Sequence, residues 1–232
     1  MKLTSLIGVL TLLVNSAAAD PIQLPDYVKT IGVIPRISDE GRLFHVALVR
    51  FLNECKPFKL KSANLDSVVF NTAASVLGRR FKLVRLTYTR QLEPNAGSQE
   101  SGLFRSSPKL GEQIRRLIGT PVKVDAFLLV GVGQSGGPCT DDPRAYGAGL
   151  TTTVAAARVH AYGQMTLVDA HTNETLQTVS LREAAAPFSG FEWTGKPTEL
   201  SEQQMKILSA ALQKVLAEAL AKALRETLPG QF

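Results

Sequence analysis

The feature that most constrains the fold lies near the C-terminus. From Glu202 to about Thr227 the chain has neither proline nor glycine. Over that run Leu208, Leu212, Val215, Leu216, Ala219, Leu220, Ala223 and Leu224 recur at helical spacing. Ser201 stands at the N-cap position with Gln204 three residues on, which is the pattern of a capping box, and Pro229 and Gly230 end the run. A helix of this length with one broad apolar face depends on tertiary packing for its stability. The rest of the chain must therefore supply apolar surface for it to lie on.

That surface comes from segments of shorter period. "KTIGVIPRI" and "RLFHVALVRFL" read as strands, and the cluster "SDEG" between them predicts an antiparallel hairpin. In "ANLDSVVFNTAASVLGRR" the period changes: Leu65, Val68, Val69, Thr72, Ala73, Val76 and Leu77 share one helical face, with Asn64 as N-cap and Gly78 as stop. "RFKLVRLTY" alternates apolar and basic residues as a half-exposed strand. Residues 91–108 read as a loop. In "PKLGEQIRRLIG", Leu110, Ile114, Leu117 and Ile118 form a second helical face that ends at Gly119. "VKVDAFLLVGV" is a strand apolar enough to sit centrally in a sheet, and "TTTVAAARVHAYGQMTLVDA" reads as one long strand. A turn at His171-Thr172-Asn173 returns it into "ETLQTVSLRE". The expected fold is α+β: a mixed, mostly antiparallel sheet of about six strands with three helices packed on it. No repeat or linker divides residues 20–232, which are expected to form a single domain with the C-terminal helix at about 201–227.

The N-terminus has the form of an export signal. Lys2 precedes an apolar stretch from Leu3 to Val14, and Ala17-Ala18-Ala19 places small residues at −3 and −1, so cleavage is expected between Ala19 and Asp20. The apolar stretch is too short to span a bilayer, no later run matches it, and no integral membrane segment is expected in the mature chain. With 44% hydrophobic and 20% charged residues over the full sequence, the chain is globular in composition rather than disordered. The chain is expected in the periplasm or secreted. In such a compartment its two cysteines, Cys55 and Cys139, are expected to pair. The bond would close a long loop and contribute roughly 4 kcal/mol.

The net charge is +6. Cations cluster at Lys56, Lys59 and Lys61, at Arg79, Arg80, Lys82 and Arg85, and at Arg115, Arg116 and Lys123. In a cytosolic chain this would raise nucleic acid as a partner. For an exported chain the partners expected are an envelope protein or an anionic glycan, with the Arg79, Arg80, Lys82, Arg85 group as the binding face, and not nucleic acid.

The segment "GVGQSGGPC" at 131–139 fits three catalytic patterns at once. Ser135 lies in a G-x-S-x-G nucleophile elbow, the Ser-Gly-Gly-Pro run resembles the end of a trypsin-type signature, and the glycines spell G-x-G-x-x-G. An elbow and a dinucleotide fingerprint both need a helix directly after the motif. Here "GGPCTDDPRAYGAG" follows, too rich in proline and glycine to begin one. For the elbow, Asp169 and His171 would have to complete a triad from a single turn. For the trypsin-type order, His45 and Asp66 precede Ser135, but one lies in a strand and the other in a helix. Glycine-rich turns explain the string without catalysis, and a serine hydrolase using Ser135 is retained as the alternative. His45, His160 and His171 lack metal-ligand spacing, with His160 expected on a solvent-facing strand position and His171 at a turn. No metal and no cofactor is expected. Asn173-Glu174-Thr175 is a glycosylation sequon, with meaning only in a eukaryotic secretory pathway.

Three segments resemble an α+β domain of bacterial envelope assembly, the N-terminal domain of TolB and the core of CsgG. "VLGRRFKLVRL" at 76–86 is similar to its helix-to-strand passage, "VDAFLLVG" at 124–131 to its Asp-led apolar strand, and "LVDAHTNETLQT" at 167–178 to its hairpin, followed by a closing amphipathic helix. The resemblance implies a non-catalytic binding or scaffold module of the cell envelope. The chain departs from it in having no lipid-modified cysteine, no following propeller, and an added segment at 133–149.

Overall fold

The computed structural model describes residues 21–38, 40–48, 53–60, 63–87, 110–119, 122–132, 147–153, 155–181, 184–190 and 200–229. Within them the fold is α+β, with three helices and two mixed five-stranded sheets. Sheet I has the order β4 (Lys82–Arg85), β1 (Thr30–Ile37), β5 (Ala126–Val132), β8 (Gln164–Asp169), β9 (Thr175–Ser180). Sheet II has the order β10 (Ala185–Pro187), β7 (Ala157–Ala161), β6 (Ala148–Thr153), β2 (Glu40–Val46), β3 (Glu54–Lys59).

β1 is apolar on both faces and lies between two parallel neighbours, β4 and β5, as a buried parallel strand does. The route from β1 to β4 passes through α1 (Leu65–Leu77), and the return from β4 to β5 passes through α2 (Leu110–Ile118). Two crossovers of one hand running in opposite directions place their helices on opposite faces of a sheet. The core divides accordingly. Ile31, Val33, Leu128 and Val130 face α1 and α3 (Glu202–Thr227). Ile34, Phe127 and Leu129 face Leu110 and Ile114 of α2. The larger core continues into Leu43, Leu150 and Val159 of sheet II, and α3 lies along it with Leu208, Leu212, Leu216, Leu220 and Leu224 fully buried. Each such side chain contributes about 1.5–3 kcal/mol through burial.

The helices follow the sequence pattern. Ser201 accepts from the Gln204 amide at 3.2 Å, and the Gln204 side chain accepts from Ser201 N–H at 3.0 Å, completing the capping box. Asn64 does precede α1, but in a left-handed conformation and with no side-chain cap bond. Gly119, at φ 70°, takes the left-handed residue that ends α2. The N-terminal lead-in reaches the far end of α3, where Ile22 N–H donates to Thr227 C=O at 2.9 Å.

Two strand expectations are corrected. β1 and β2 do not form a hairpin: β1 already has two partners in sheet I, so the chain leaves that sheet at Ser38, whose N–H donates to Val132 C=O at 2.9 Å. β2 then pairs antiparallel with β3 and parallel with β6. The long strand expected over 151–170 is three strands. β6 turns into β7 where the Thr153 hydroxyl accepts from the Ala155 and Ala156 amides. β7 gives way to β8 at Tyr162-Gly163, where the chain crosses from sheet II to sheet I. At that crossing a Cβ on Gly163 would lie 1.9 Å from Gly131 O, so glycine is required for the two backbones to meet. A later crossing, from β9 to β10, is joined to the β7–β8 crossing by Leu181 N–H to Gly163 C=O at 2.8 Å and Ala161 N–H to Ala184 C=O at 2.7 Å. Among the described residues, ten strands in two sheets thus replace the expected sheet of about six.

Candidate binding surface

In sheet I the parallel strands β4, β1 and β5 all begin at the same end, because parallel neighbours share direction. Thr30 pairs with Lys82, and Asp125 N–H donates to Thr30 C=O at 2.8 Å. Just outside these starts lie Lys29 before β1, Arg79 and Arg80 before β4, and Lys123 before β5, and all four are exposed, as is Lys82. Strand starts carry such residues readily because the strand ends there and the side chain passes into water.

Beside them the β8–β9 turn and the lead-in are tied together. Asp125 Oδ2 accepts from the amides of Lys29 (2.9 Å) and Thr30 (2.8 Å), and its Oδ1 lies 3.4 Å from His171 Nε2. Asp169 Oδ1 accepts from the amides of His171 (2.7 Å) and Thr172 (3.1 Å), while Tyr27 Oη donates to its other oxygen. The Tyr27 ring meets the His171 ring edge-on, with centroids 5.2 Å apart. Arg115 of α2 donates to Ala170 C=O and to Asn173 Oδ1, and its guanidinium lies over the Phe127 ring.

The electrostatics follow from these bonds. The Lys29 amide, then the Thr30 amide and His171, hold the Asp125 carboxyl below its usual range, although partial burial opposes them. Burial alone would raise Asp169, but hydrogen bonds from Tyr27, Thr172 and His171 outweigh it and hold it low. The bond to Asp169 raises the Tyr27 phenol. Both carboxylates act as anchors for backbone N–H groups, which is how Asp stabilises turns.

The residues singled out from sequence fall as follows. Arg79, Arg80 and Lys82 lie on the α1–β4 turn and the start of β4, with Arg80 over the Phe81 ring. Arg85 departs from the group: strand alternation turns it to the α1 side, where it reaches Ser67 Oγ at 3.3 Å. Lys56 and Lys59 are exposed on β3, at the edge of the other sheet. Cys55 lies on β3 opposite Phe44, while Cys139, Ser135, Ala19 and Asp20 lie outside the described residues. His45 and Asp66 are apart in the fold, on β2 and in the first turn of α1, with His45 Nδ1 3.0 Å from Thr152 Oγ1. His171 presents its ring to Asp125 and only its amide to Asp169, so these two do not form the acid–histidine pair of a triad.

His160 is a further correction, for it is buried, with 1% exposure. Its ring stacks on Tyr162 at 4.9 Å, and Nδ1 lies 3.2 Å from Gly147 C=O, which fits a proton on Nδ1. Nε2 is buried without a hydrogen-bond partner among the described residues. Burial lowers its pKa to about 4, against the opposing pull of the Gly147 carbonyl. Among the described residues no group of three potential ligands is placed to hold a metal ion, and no helix is long and apolar enough to cross a membrane.

No protein-family model and no curated protein matches the chain. Among solved structures, a DUF330-family protein from Xanthomonas campestris is 9% identical, with a TM-score of 0.36, covering 86% of this chain and 84% of that one. The lipoprotein GNA1162 from Neisseria meningitidis is 12% identical, with a TM-score of 0.31, covering 82% of this chain and 99% of that one. A protein described as a neuraminyllactose-binding hemagglutinin homologue, from Helicobacter pylori, is 13% identical, with a TM-score of 0.33, covering 87% of this chain and 90% of that one. Likeness at this level fixes neither family nor function.

Proposed function

We propose that the chain is an exported, non-catalytic binding or scaffold protein of the bacterial cell envelope, folded as one α+β domain after removal of residues 1–19. Its partner is an envelope protein or an anionic glycan. The disposition of charge carries the reading. Arg79, Arg80 and Lys82 stand exposed at one edge of sheet I, while the nearby carboxylates Asp125 and Asp169 are occupied by backbone amides. The export signal of the sequence supports the compartment, and the pattern shared with TolB and CsgG supports the class. A Cys55–Cys139 bond belongs to the same reading.

Fractionation of cells producing the full chain tests it. The expected result is a periplasmic or secreted product beginning at Asp20 that cross-links to an envelope component, with the yield reduced in an Arg79→Gln/Arg80→Gln/Lys82→Gln variant. A cytoplasmic product retaining residues 1–19 overturns it. Labelling by a serine-hydrolase probe that is lost in Ser135→Ala establishes the alternative enzyme instead.

A further inference from the structure

We propose that the starts of β4, β1 and β5 form one anion-binding rim, made by Lys82 with Arg79 and Arg80, by Lys29 and by Lys123, and that its ligand is an acidic polysaccharide seated against the Tyr27 ring. The inference rests on the reading of an exported envelope protein and names the ligand class of that surface.

Sheet topology brings these cations together. Neighbouring strands are about 4.8 Å apart, so three adjacent starts span about 10 Å. That is close to the Debye length of about 10 Å at 0.1 M salt, and their potentials add rather than being screened from one another. An antiparallel arrangement would have sent Lys82 or Lys123 to the opposite end. Sequence distance hides the grouping, since Lys29, Lys82 and Lys123 are widely separated in the chain.

The cations at the rim are available. Among the described residues, none of Lys29, Lys82 or Lys123 is paired with a carboxylate. Among the described residues the acids at this end include Asp125 and Asp169, both engaged with N–H or O–H donors, and the exposed Asp26 and Glu174. Each of the three strand starts carries a lysine, Lys29, Lys82 or Lys123, and a lysine ammonium meets an anion as a point charge without the planar fork that arginine imposes. This suits carboxylates or phosphates spaced irregularly along a polymer.

Tyr27 distinguishes a saccharide from a bare anion. Tyr27 is 48% exposed, two residues from Lys29. The hydroxyl is held by Asp169 and the ring packs T-shaped against His171, so the exposed part of the ring is held in a fixed orientation. A fixed aromatic ring offers an apolar platform with a polar tip. It can stack on the C–H face of a pyranose while the sugar's acidic group reaches the lysines.

Titration calorimetry of the purified full chain with polygalacturonate, polyphosphate and single-stranded DNA, at 50 and 150 mM salt, tests the rim. Polygalacturonate is expected to bind most tightly. Lys29→Gln/Lys82→Gln/Lys123→Gln is expected to weaken it at least tenfold and flatten its salt dependence. Lys56→Gln/Lys59→Gln, on the other sheet, is expected to change it less than twofold. Tyr27→Leu is expected to lose polygalacturonate binding while retaining polyphosphate binding. Circular dichroism confirms that each variant is folded. Tighter binding of polyphosphate or DNA overturns the saccharide assignment. Equal losses in the two lysine variants, or no binding to any polymer, overturn the rim. Cytoplasmic retention on fractionation separately overturns the reading beneath it.

Discussion

Replacing Gly163 by alanine tests whether the two sheets are joined as described. The added Cβ would sit 1.9 Å from Gly131 O, 2.9 Å from Gly131 C and 3.1 Å from Val132 Cα, all backbone atoms. No rotamer relieves such a contact, so the β7–β8 crossing must move away from the end of β5. Overpacking of this kind costs about 1–3 kcal/mol. The movement also strains the bond from Leu181 N–H to Gly163 C=O at 2.8 Å and that from Tyr162 N–H to Gly147 C=O at 2.6 Å. With each worth about 1 kcal/mol, the expected loss is about 3–5 kcal/mol. Gly163 is not among the residues with positive φ, so the cost is steric. Gly119→Ala is the control: its Cβ would meet nothing within 4 Å, but φ is 70°, and its expected cost is about 1–2 kcal/mol. Urea unfolding followed by far-ultraviolet circular dichroism gives both values, and at a slope of about 2–3 kcal/mol/M the Gly163 midpoint falls by more than about 1 M. A Gly163→Ala loss below about 1 kcal/mol, or below that of Gly119→Ala, refutes the crossing.

Three further outcomes are expected. His160 takes up its proton at about pH 4 in the folded chain, below the histidine reference of 6.5. Stability is then full above pH 6.5 and declines by about 3 kcal/mol as pH falls to 4; unfolding midpoints across this window measure the decline, and His160→Phe should abolish it. Asp125 and Asp169, held low in the folded state, give stability that is full above the unfolded carboxylate range and lost as pH falls through their folded values; Asp125→Asn/Asp169→Asn should flatten the midpoint-versus-pH curve below about pH 4. Mass analysis of the exported protein under non-reducing conditions should show one Cys55–Cys139 bond, and two alkylated thiols without reduction would rule it out.

The helices are readable in the sequence because each carries its own period and its own stop. Leu65 to Leu77 and Leu208 to Leu224 need no distant information to be recognised. Sheet membership is different. The step from β1 to β2 is only Ser38 and Asp39, and it looks like a hairpin turn until one knows that β4 and β5 already flank β1. The step from β7 to β8 is Tyr162-Gly163, with strand-like residues on both sides. His160 looks half-exposed by alternation, yet it is buried and stacked on Tyr162. The basic group near residue 80 was visible, but strand alternation removes Arg85 from it and parallel pairing adds Lys29. Tyr27 gave no local signal and Asp125 was visible only as the residue that leads an apolar strand, since their roles depend on a turn more than forty residues further along the chain.

The clasp between Ile22 and Thr227 bears on the order in which the molecule can be completed. It joins the two ends of nearly the whole described chain, and contacts of such high sequence separation form late and slow the reaction. Tyr27 and Lys29 are held by Asp169 and Asp125, but the start of the lead-in at Ile22 gains its tie only when the last turn of α3 arrives. A chain emerging from its N-terminus delivers that lead-in first and its partner last. Until α3 docks, the apolar faces of sheets I and II lie open to other unfinished chains, so crowding during production should reduce the yield more than any instability of the finished protein.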